Sequence, residues 1–274
     1  RIETLRRDPN AIYAERILEL APLEPFQAGQ DRRIRGVALH EIVAAFARAH
    51  PAGPLPAGAG EEILRLARET FAGALDDPDF RALEWPPIVR ALAAYLDWER
   101  ARRAGLAGLD VEISGRVDIP LPDGSPFRLP PNADRIERRA VGAVVVVDFK
   151  TGSVPSVNDV REGFSPQLTI EAAMARRGAF GPDHAREAVE GLYVELKPAL
   201  KERGASGKEP FAPLVETHWE SCLAMLAEWR DASVGYASRP FPAYAPAYSD
   251  AAHLARVQEW SATAGAADGA EGEA

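Results

Sequence analysis

Four consecutive valines, Val144 to Val147, run directly into Asp148-Phe149-Lys150-Thr151-Gly152, and no other stretch restricts the fold as much. An unbroken β-branched run suits a strand buried on both faces, because these stiff side chains pack well on a pleated surface and leave no polar side for water. The chain must then supply a layer on each side of that strand. Residues 133–138 just before it alternate in character, and residues 140–143, with Gly142, can reverse the chain between the two. Paired antiparallel, the strands bring Asp134 near Asp148, and the period of two puts Asp148 and Lys150 on one face. Two carboxylates and one ammonium thus converge at a sheet end. Such oxygen donors suit a hard divalent cation such as magnesium. A solvated turn, with Gly152 at positive φ and Lys150 merely exposed, accounts for the same residues. Against it, the chain has four lysines (150, 197, 201 and 208) beside 28 arginines, and one of the four stands two residues beyond the aspartate that ends the valine run.

The 274 residues suffice for one large domain or two small ones. The single cysteine, Cys222, excludes an internal disulfide framework, a four-cysteine zinc site and an iron–sulfur cluster held by cysteines of this chain. A reducing cytoplasm is the expected compartment. No run of eighteen apolar residues and no signal-peptide layout occurs, so neither a membrane nor an exported chain is expected. The chain starts at Arg1, without methionine and inside a helical pattern, and is expected to be part of something longer. A net charge of −9 speaks against nucleic acid. However, the tail from Asp250 carries −4 of it, while Arg32, Arg33 and Arg35 precede one helix and Arg135, Arg138 and Arg139 flank the hairpin.

Residues 1–20 read as two short helices with Asp8 as cap and Pro9 at the first turn. A Pro-rich connection follows. Residues 35–50 form a helix with Leu39, Ile42, Val43 and Phe46 on one face and His40 beside it. By itself His40 is a packed or surface residue. Residues 51–60 are a linker, and residues 61–75 and 86–103 are helices. Asp76, Asp77 and Asp79 lack the glycine and distal glutamate of a calcium loop. Residues 111–121 read as the first strand, broken only at Ser114-Gly115, with Glu112 either an extra carboxylate or a solvent-facing residue. Residues 153–163 read as a loop open to movement. Ser165-Pro166-Gln167 starts a helix with serine as cap. Residues 189–196 read as a strand, 197–213 as a polar loop and 213–239 as a long helix. Gly207-Lys208 fails as a phosphate loop, since Glu202 and Glu209 stand where glycine and Ser or Thr are needed. Residues 241–248 read as extended, and the last dozen residues as disordered.

The order of helix, strand, hairpin, helix and strand gives an α/β/α sandwich around a central mixed β-sheet, with additional N-terminal and C-terminal helices. In this order Gly36-x-x-x-His40, Asp134, Asp148-x-Lys150-Thr151-Gly152 and Gln167 resemble the PD-(D/E)xK nuclease superfamily and its RecB-like branch, with a restriction-endonuclease-like fold. The resemblance extends to the C-terminal nuclease domains of AddB subunits, over nearly the whole chain. It implies a nuclease domain over 1–249, with a helical insertion near 55–105, and a separate acidic segment over 250–274. The resemblance further implies Mg2+ or Mn2+ held by His40, Asp134, Asp148 and the Phe149 carbonyl, with Lys150 and Gln167 completing the catalytic set. Many AddB proteins carry an iron–sulfur cluster; here Asp8-Pro9 stands at the N-terminal cysteine position, so no cluster is expected. The family's helix continues from the glutamine to a tyrosine four residues on, where this chain has Glu171. The implied activity is exonucleolytic hydrolysis of DNA, single-stranded in particular, during double-strand-break resection, with an AddA-type helicase–nuclease subunit as partner. Arg35, Arg135, Arg161, Arg176 and Arg177 are candidates to meet phosphates, and Phe164 to stack a base. The competing reading is a catalytically silent nuclease-fold module that binds DNA or assembles with a partner.

Overall fold

Residues 1–28 and 225–274 make up one compact unit and residues 29–224 another. The structure, a computed structural model, describes residues 2–21, 32–120, 124–246, 249, 252–256 and 259. In the smaller unit, helices α1 (Ile2–Arg7) and α2 (Pro9–Arg16) meet at Asp8. Pro9 opens α2, where its missing N–H falls at a position that lacks a helical partner anyway. Asp8 holds the cap position, but its buried side chain makes no capping hydrogen bond, contrary to the expected cap. The Tyr13 and Trp229 rings both pack on Tyr236, at 5.3 and 4.8 Å between centroids.

In the larger unit, α3 (Arg32–Ala49), α4 (Ala59–Thr70) and α5 (Trp85–Arg102) precede the sheet. The apolar stripe of α3 is buried as its spacing predicts: Leu39, Ile42, Val43 and Phe46 join Ile63, Leu92 and Tyr95 in one core. Five strands form the main sheet, β1 (Leu106–Ser114), β4 (Asn132–Arg139), β5 (Val144–Lys150), β6 (Ala188–Glu195) and β7 (Lys201–Gly204), in the order β1-β4-β5-β6-β7; β2 (Val117–Pro120) pairs with β3 (Pro126–Leu129) in a separate ribbon. Only β5 and β6 run parallel, and the remaining neighbours are antiparallel. The β4–β5 turn uses Gly142 at φ +84°, where a Cβ is disfavoured.

Val144 through Phe149 are all buried. Val145, Val147 and Phe149 pack with the helices α3, α4 and α5. The crossover between β5 and β6 carries α6 (Val157–Arg161) and α7 (Gln167–Arg176), with α7 against both strands. Gly191 shows how tight that layer is: a Cβ there would lie 2.5 Å from the Phe211 ring and 3.3 Å from the Leu168 Cβ. Gly191→Ala is expected to lower stability by about 1–3 kcal/mol, read as a fall in the urea midpoint at unchanged slope.

Several expected elements differ. The strand expected over 111–121 is two strands in two sheets. The chain leaves the main sheet at Gly115, whose N–H bonds the Pro131 carbonyl, and a Cβ there would stand 2.3 Å from the Ala179 carbonyl oxygen. The loop expected over 153–163 contains α6, capped by Ser156, whose Oγ accepts the Asp159 N–H at 3.0 Å. Ser165 does not cap α7; Pro166 occupies that position. The polar loop expected over 197–213 contains β7, an edge strand whose Lys-Glu-Arg composition hides its pairing while protecting the edge. The long helix, α8 (Phe211–Glu228), starts ahead of Pro213 and stops where Asp231 Oδ1 accepts the Ser233 N–H in a turn. Residues 241–248, expected to be extended, include a 3-10 turn at Pro242–Tyr244. The disorder expected for the last dozen residues lies outside the described residues. Among the described residues no helix is long and apolar enough to cross a membrane.

Candidate active site and metal centre

Backbone pairing of β4 with β5 runs from Arg138↔Val144 to Arg135↔Val147 and then stops. At the next step, where Asp134 meets Asp148, a carboxylate takes over the ladder: Asp134 Oδ2 accepts the Phe149 N–H at 2.9 Å. That bond anchors Asp134 at the strand end, 3.5 Å from His40 Nδ1. Gly36 explains how the helix bearing His40 comes so close. A Cβ on Gly36 would meet Thr151 Oγ1 at 2.7 Å, so glycine lets α3 lie against the end of β5.

On the other side of β4, Glu112 stands between the pairs Val111↔Arg135 and Ile113↔Ala133, across from Asp134. Its φ of +47° is left-handed, a strained state for a non-glycine residue inside a strand. Opposed like charges also weaken strand pairing. Strain and repulsion both become intelligible if a cation sits among these groups. A nitrogen of His40 and one carboxylate oxygen each from Glu112 and Asp134 lie within 4.8 Å of one another. Two hard oxygens and an imidazole at that spacing fit a divalent ion.

Beside this cluster stands a second one, built on the α7 side of the sheet. Asp148 and Lys150 share a face of β5, and Lys150 Nζ lies 2.8 Å from one Asp148 oxygen and 3.1 Å from the other. Lys150 Nζ also donates to Gln167 Oε1 at 3.1 Å and sits 6.0 Å from the centre of the Tyr193 ring. Gln167 Nε2 donates to Asp148 Oδ1 at 2.7 Å and to Glu171 Oε1 at 3.1 Å. Burial pushes the Asp148 carboxyl up to about 6, reinforced by the Asp134 charge and opposed by Lys150. Burial, then the charge of Asp148, also holds Glu171 well above the usual carboxylate range.

The expected residues therefore fall into two adjoining groups. His40 and Asp134 join Glu112, whereas Asp148, Lys150 and Gln167 join Glu171. Asp148 is turned to lysine and glutamine and lies outside the three-residue cluster. Glu112 had a signal in the sequence, the period of two in β1, but only the register sets it opposite Asp134. Glu171 was legible as a departure from the family pattern and not as a partner of Gln167.

The expected phosphate contacts fare unevenly. Arg135 is wholly buried and ion-paired with Glu99 and Glu137, so it meets no phosphate. Phe164 is 4% exposed and offers no stacking platform, because its ring belongs to the core. Arg161 is exposed and paired with Glu209, and Arg176 and Arg177 share Glu216. The flanking cations Arg138 and Arg139 are neutralised by Asp110 and Glu137. Arg35 pairs with Glu84 at the side of a second cleft. The first cleft, about 670 Å3, is lined by His40, Glu112, Asp134 and Arg48; the second, about 490 Å3, by Arg35, Lys197 and Leu196; Gly36 and Thr151 border both.

A family model described as the PD-(D/E)XK nuclease superfamily matches residues 1–269. Two curated relatives of uncharacterised function come from Rickettsia. One, from R. bellii, is 24% identical over 184 residues, 67% of this chain and 22% of the relative. The other, from R. felis, is 22% identical over 209 residues, 75% of this chain and 24% of the relative. The chain thus spans about a quarter of the length of the curated relatives it matches. Among solved structures, that of SSO0001 aligns with 71% of this chain and 76% of its own at 16% identity and a TM-score of 0.30.

Proposed function

Because the chain belongs to the PD-(D/E)xK nuclease superfamily, whose members are metal-dependent nucleases, we propose that it hydrolyses DNA, single-stranded DNA in particular, and works exonucleolytically in an AddAB-type helicase–nuclease. The observation that carries this reading is the meeting of Lys150 with Asp148 and Gln167 beside the His40–Glu112–Asp134 cluster. A non-catalytic module has no chemical need for a lysine held among carboxylates next to a cation-sized gap.

His40, Glu112 and Asp134 would hold magnesium or manganese, with Asp148 at hand. When bound, the ion supplies neutralisation of charge on the scissile phosphate and acidification of water. The chain's own groups do the rest. Lys150 presents a positive charge whose position is set before substrate arrives, which is how an ammonium stabilises charge that develops during reaction. Gln167 ties Lys150 to Asp148, and Asp134 bonded to the Phe149 N–H keeps the strand end from moving. Two clefts flank the contact of Gly36 with Thr151, with Arg48 lining one and Arg35 and Lys197 the other, and offer cationic surface to a strand.

The test is degradation of end-labelled single-stranded DNA, double-stranded DNA and RNA by the 274-residue chain in magnesium or manganese. Single-stranded DNA is expected to shorten from an end, chelation to stop it, and AddA-type subunits to bind the parent protein. No cutting of any substrate by the chain or by its complex with that subunit would sink the catalytic reading. Glu112→Gln is expected to weaken manganese binding on the order of tenfold, measured by calorimetry, since one charged oxygen donor is lost.

A further inference from the structure

Glu171 is an unusual occupant of its position. Every residue of α7 from Leu168 to Ala175 is buried, and its neighbours there are mostly apolar. Glu171 itself is 5% exposed. One of its oxygens accepts from Gln167, one helical turn earlier, and the other, Oε2, has no hydrogen-bond partner among the described residues. A buried carboxylate so thinly satisfied destabilises the fold, and an apolar side chain in this helix would avoid that cost. Folding alone gives no reason for it.

The hydrogen bonds of Gln167 supply one. Its amide nitrogen has two hydrogens, one given to Asp148 and the other to Glu171, and its oxygen accepts from Lys150. Asp148 at the amide nitrogen and Lys150 at the oxygen fix the two ends and leave the plane free to rock about the line joining those bonds. The bond to Glu171 fixes the plane, and with it the direction of the oxygen that holds Lys150. We infer that Glu171 is a positioning residue that locks the Gln167 amide and, through it, the Lys150 ammonium. Its bearing on turnover rests on the nuclease reading above; its effect on Lys150 does not.

That separation shapes the test. With only four lysines, nuclear magnetic resonance of side-chain-labelled lysine reports each ammonium individually, Lys150 being assigned by the signal lost in Lys150→Arg. In Glu171→Leu and Glu171→Met the Lys150 signal is expected to shift and broaden, while those of Lys197, Lys201 and Lys208 stay in place and attest the fold. Glu171→Gln, whose amide oxygen can accept the same N–H, is expected to keep the Lys150 signal near the wild-type position. In the nuclease assay Glu171→Leu should lower kcat about tenfold with little change in KM, and add nothing in a Gln167→Ala background. An unmoved Lys150 signal in both apolar variants overturns the inference, as does full additivity with Gln167→Ala. If neither the wild-type chain nor its complex with an AddA-type subunit cuts any substrate, the nuclease reading falls, and the lysine signals still decide what Glu171 does.

Discussion

Lys150→Ala is expected to lower kcat on single-stranded DNA by about a thousandfold or more, with manganese binding unchanged. Lys150 belongs to the group of Asp148, Gln167 and Tyr193, outside the His40–Glu112–Asp134 cluster that could hold a metal ion. Its loss therefore removes charge without removing a ligand. The side chain is about one-third exposed, so its truncation opens no core cavity. Lys150→Arg separates two roles. A guanidinium keeps the charge but is planar, wider and unable to give up a proton, and a slot cut for one point charge between Asp148 and Gln167 does not accommodate it. We expect Lys150→Arg to remain at least about a hundredfold below wild type. The measurements are initial rates in magnesium, a manganese titration and thermal melts on the same preparations. Lys150→Ala within tenfold of wild type would remove the lysine from the mechanism and leave only the metal donors.

What could be seen before the fold was known depended on how local the determining interactions are. The valine run identified a doubly buried strand because its reason is written in adjacent residues, and the hairpin followed from the turn at Gly142. Gln167 was legible as a first-turn residue after Ser165-Pro166, whereas His40 read by itself as a packed or surface residue and joined the site only through the family resemblance of the Gly36-x-x-x-His40 pattern. Glu112 was legible only as either an extra carboxylate or a solvent-facing residue, because the choice is set by register: it lies across from Asp134 only once β1 pairs with β4 in the observed alignment. Arg135 and Phe164 misled for the same reason in reverse. An arginine beside Asp134, a candidate metal ligand, looks like a phosphate contact. Whether it points out to solvent or in toward Glu99, 36 residues earlier, is decided by long-range packing that a one-dimensional pattern does not hold.

Arg135→Met is expected to destabilise the larger unit by about 3–5 kcal/mol, a large share of the ~5–15 kcal/mol that holds a typical domain together. Arg135, Glu99 and Glu137 are all wholly inaccessible to solvent. The guanidinium bonds Glu137 at 2.9 Å, grips both oxygens of Glu99, and lies 5.2 Å from the centre of the Trp98 ring. Arg103 supports Glu99, while Arg102 and Arg139 support Glu137, so the network closes around Arg135. Methionine fills a similar volume but leaves two carboxylates in a site that has lost its central cation. The carboxylate oxygens left without the Arg135 hydrogen bonds in a wholly buried site, more than any cavity, set the cost. Adding Glu99→Gln and Glu137→Gln to Arg135→Met should restore part of the loss, which a cavity would not allow. Urea denaturation followed by circular dichroism reads both effects through the midpoint. The consequence reaches the active site through one peptide bond. Alternation along β4 sends Arg135 toward α5 and gives the adjacent Asp134 the opposite sense, so the network that buries Arg135 also anchors the backbone that carries Asp134. Arg135→Met should therefore weaken manganese binding even in protein that remains folded at low temperature, whereas Lys150→Ala should leave it unchanged.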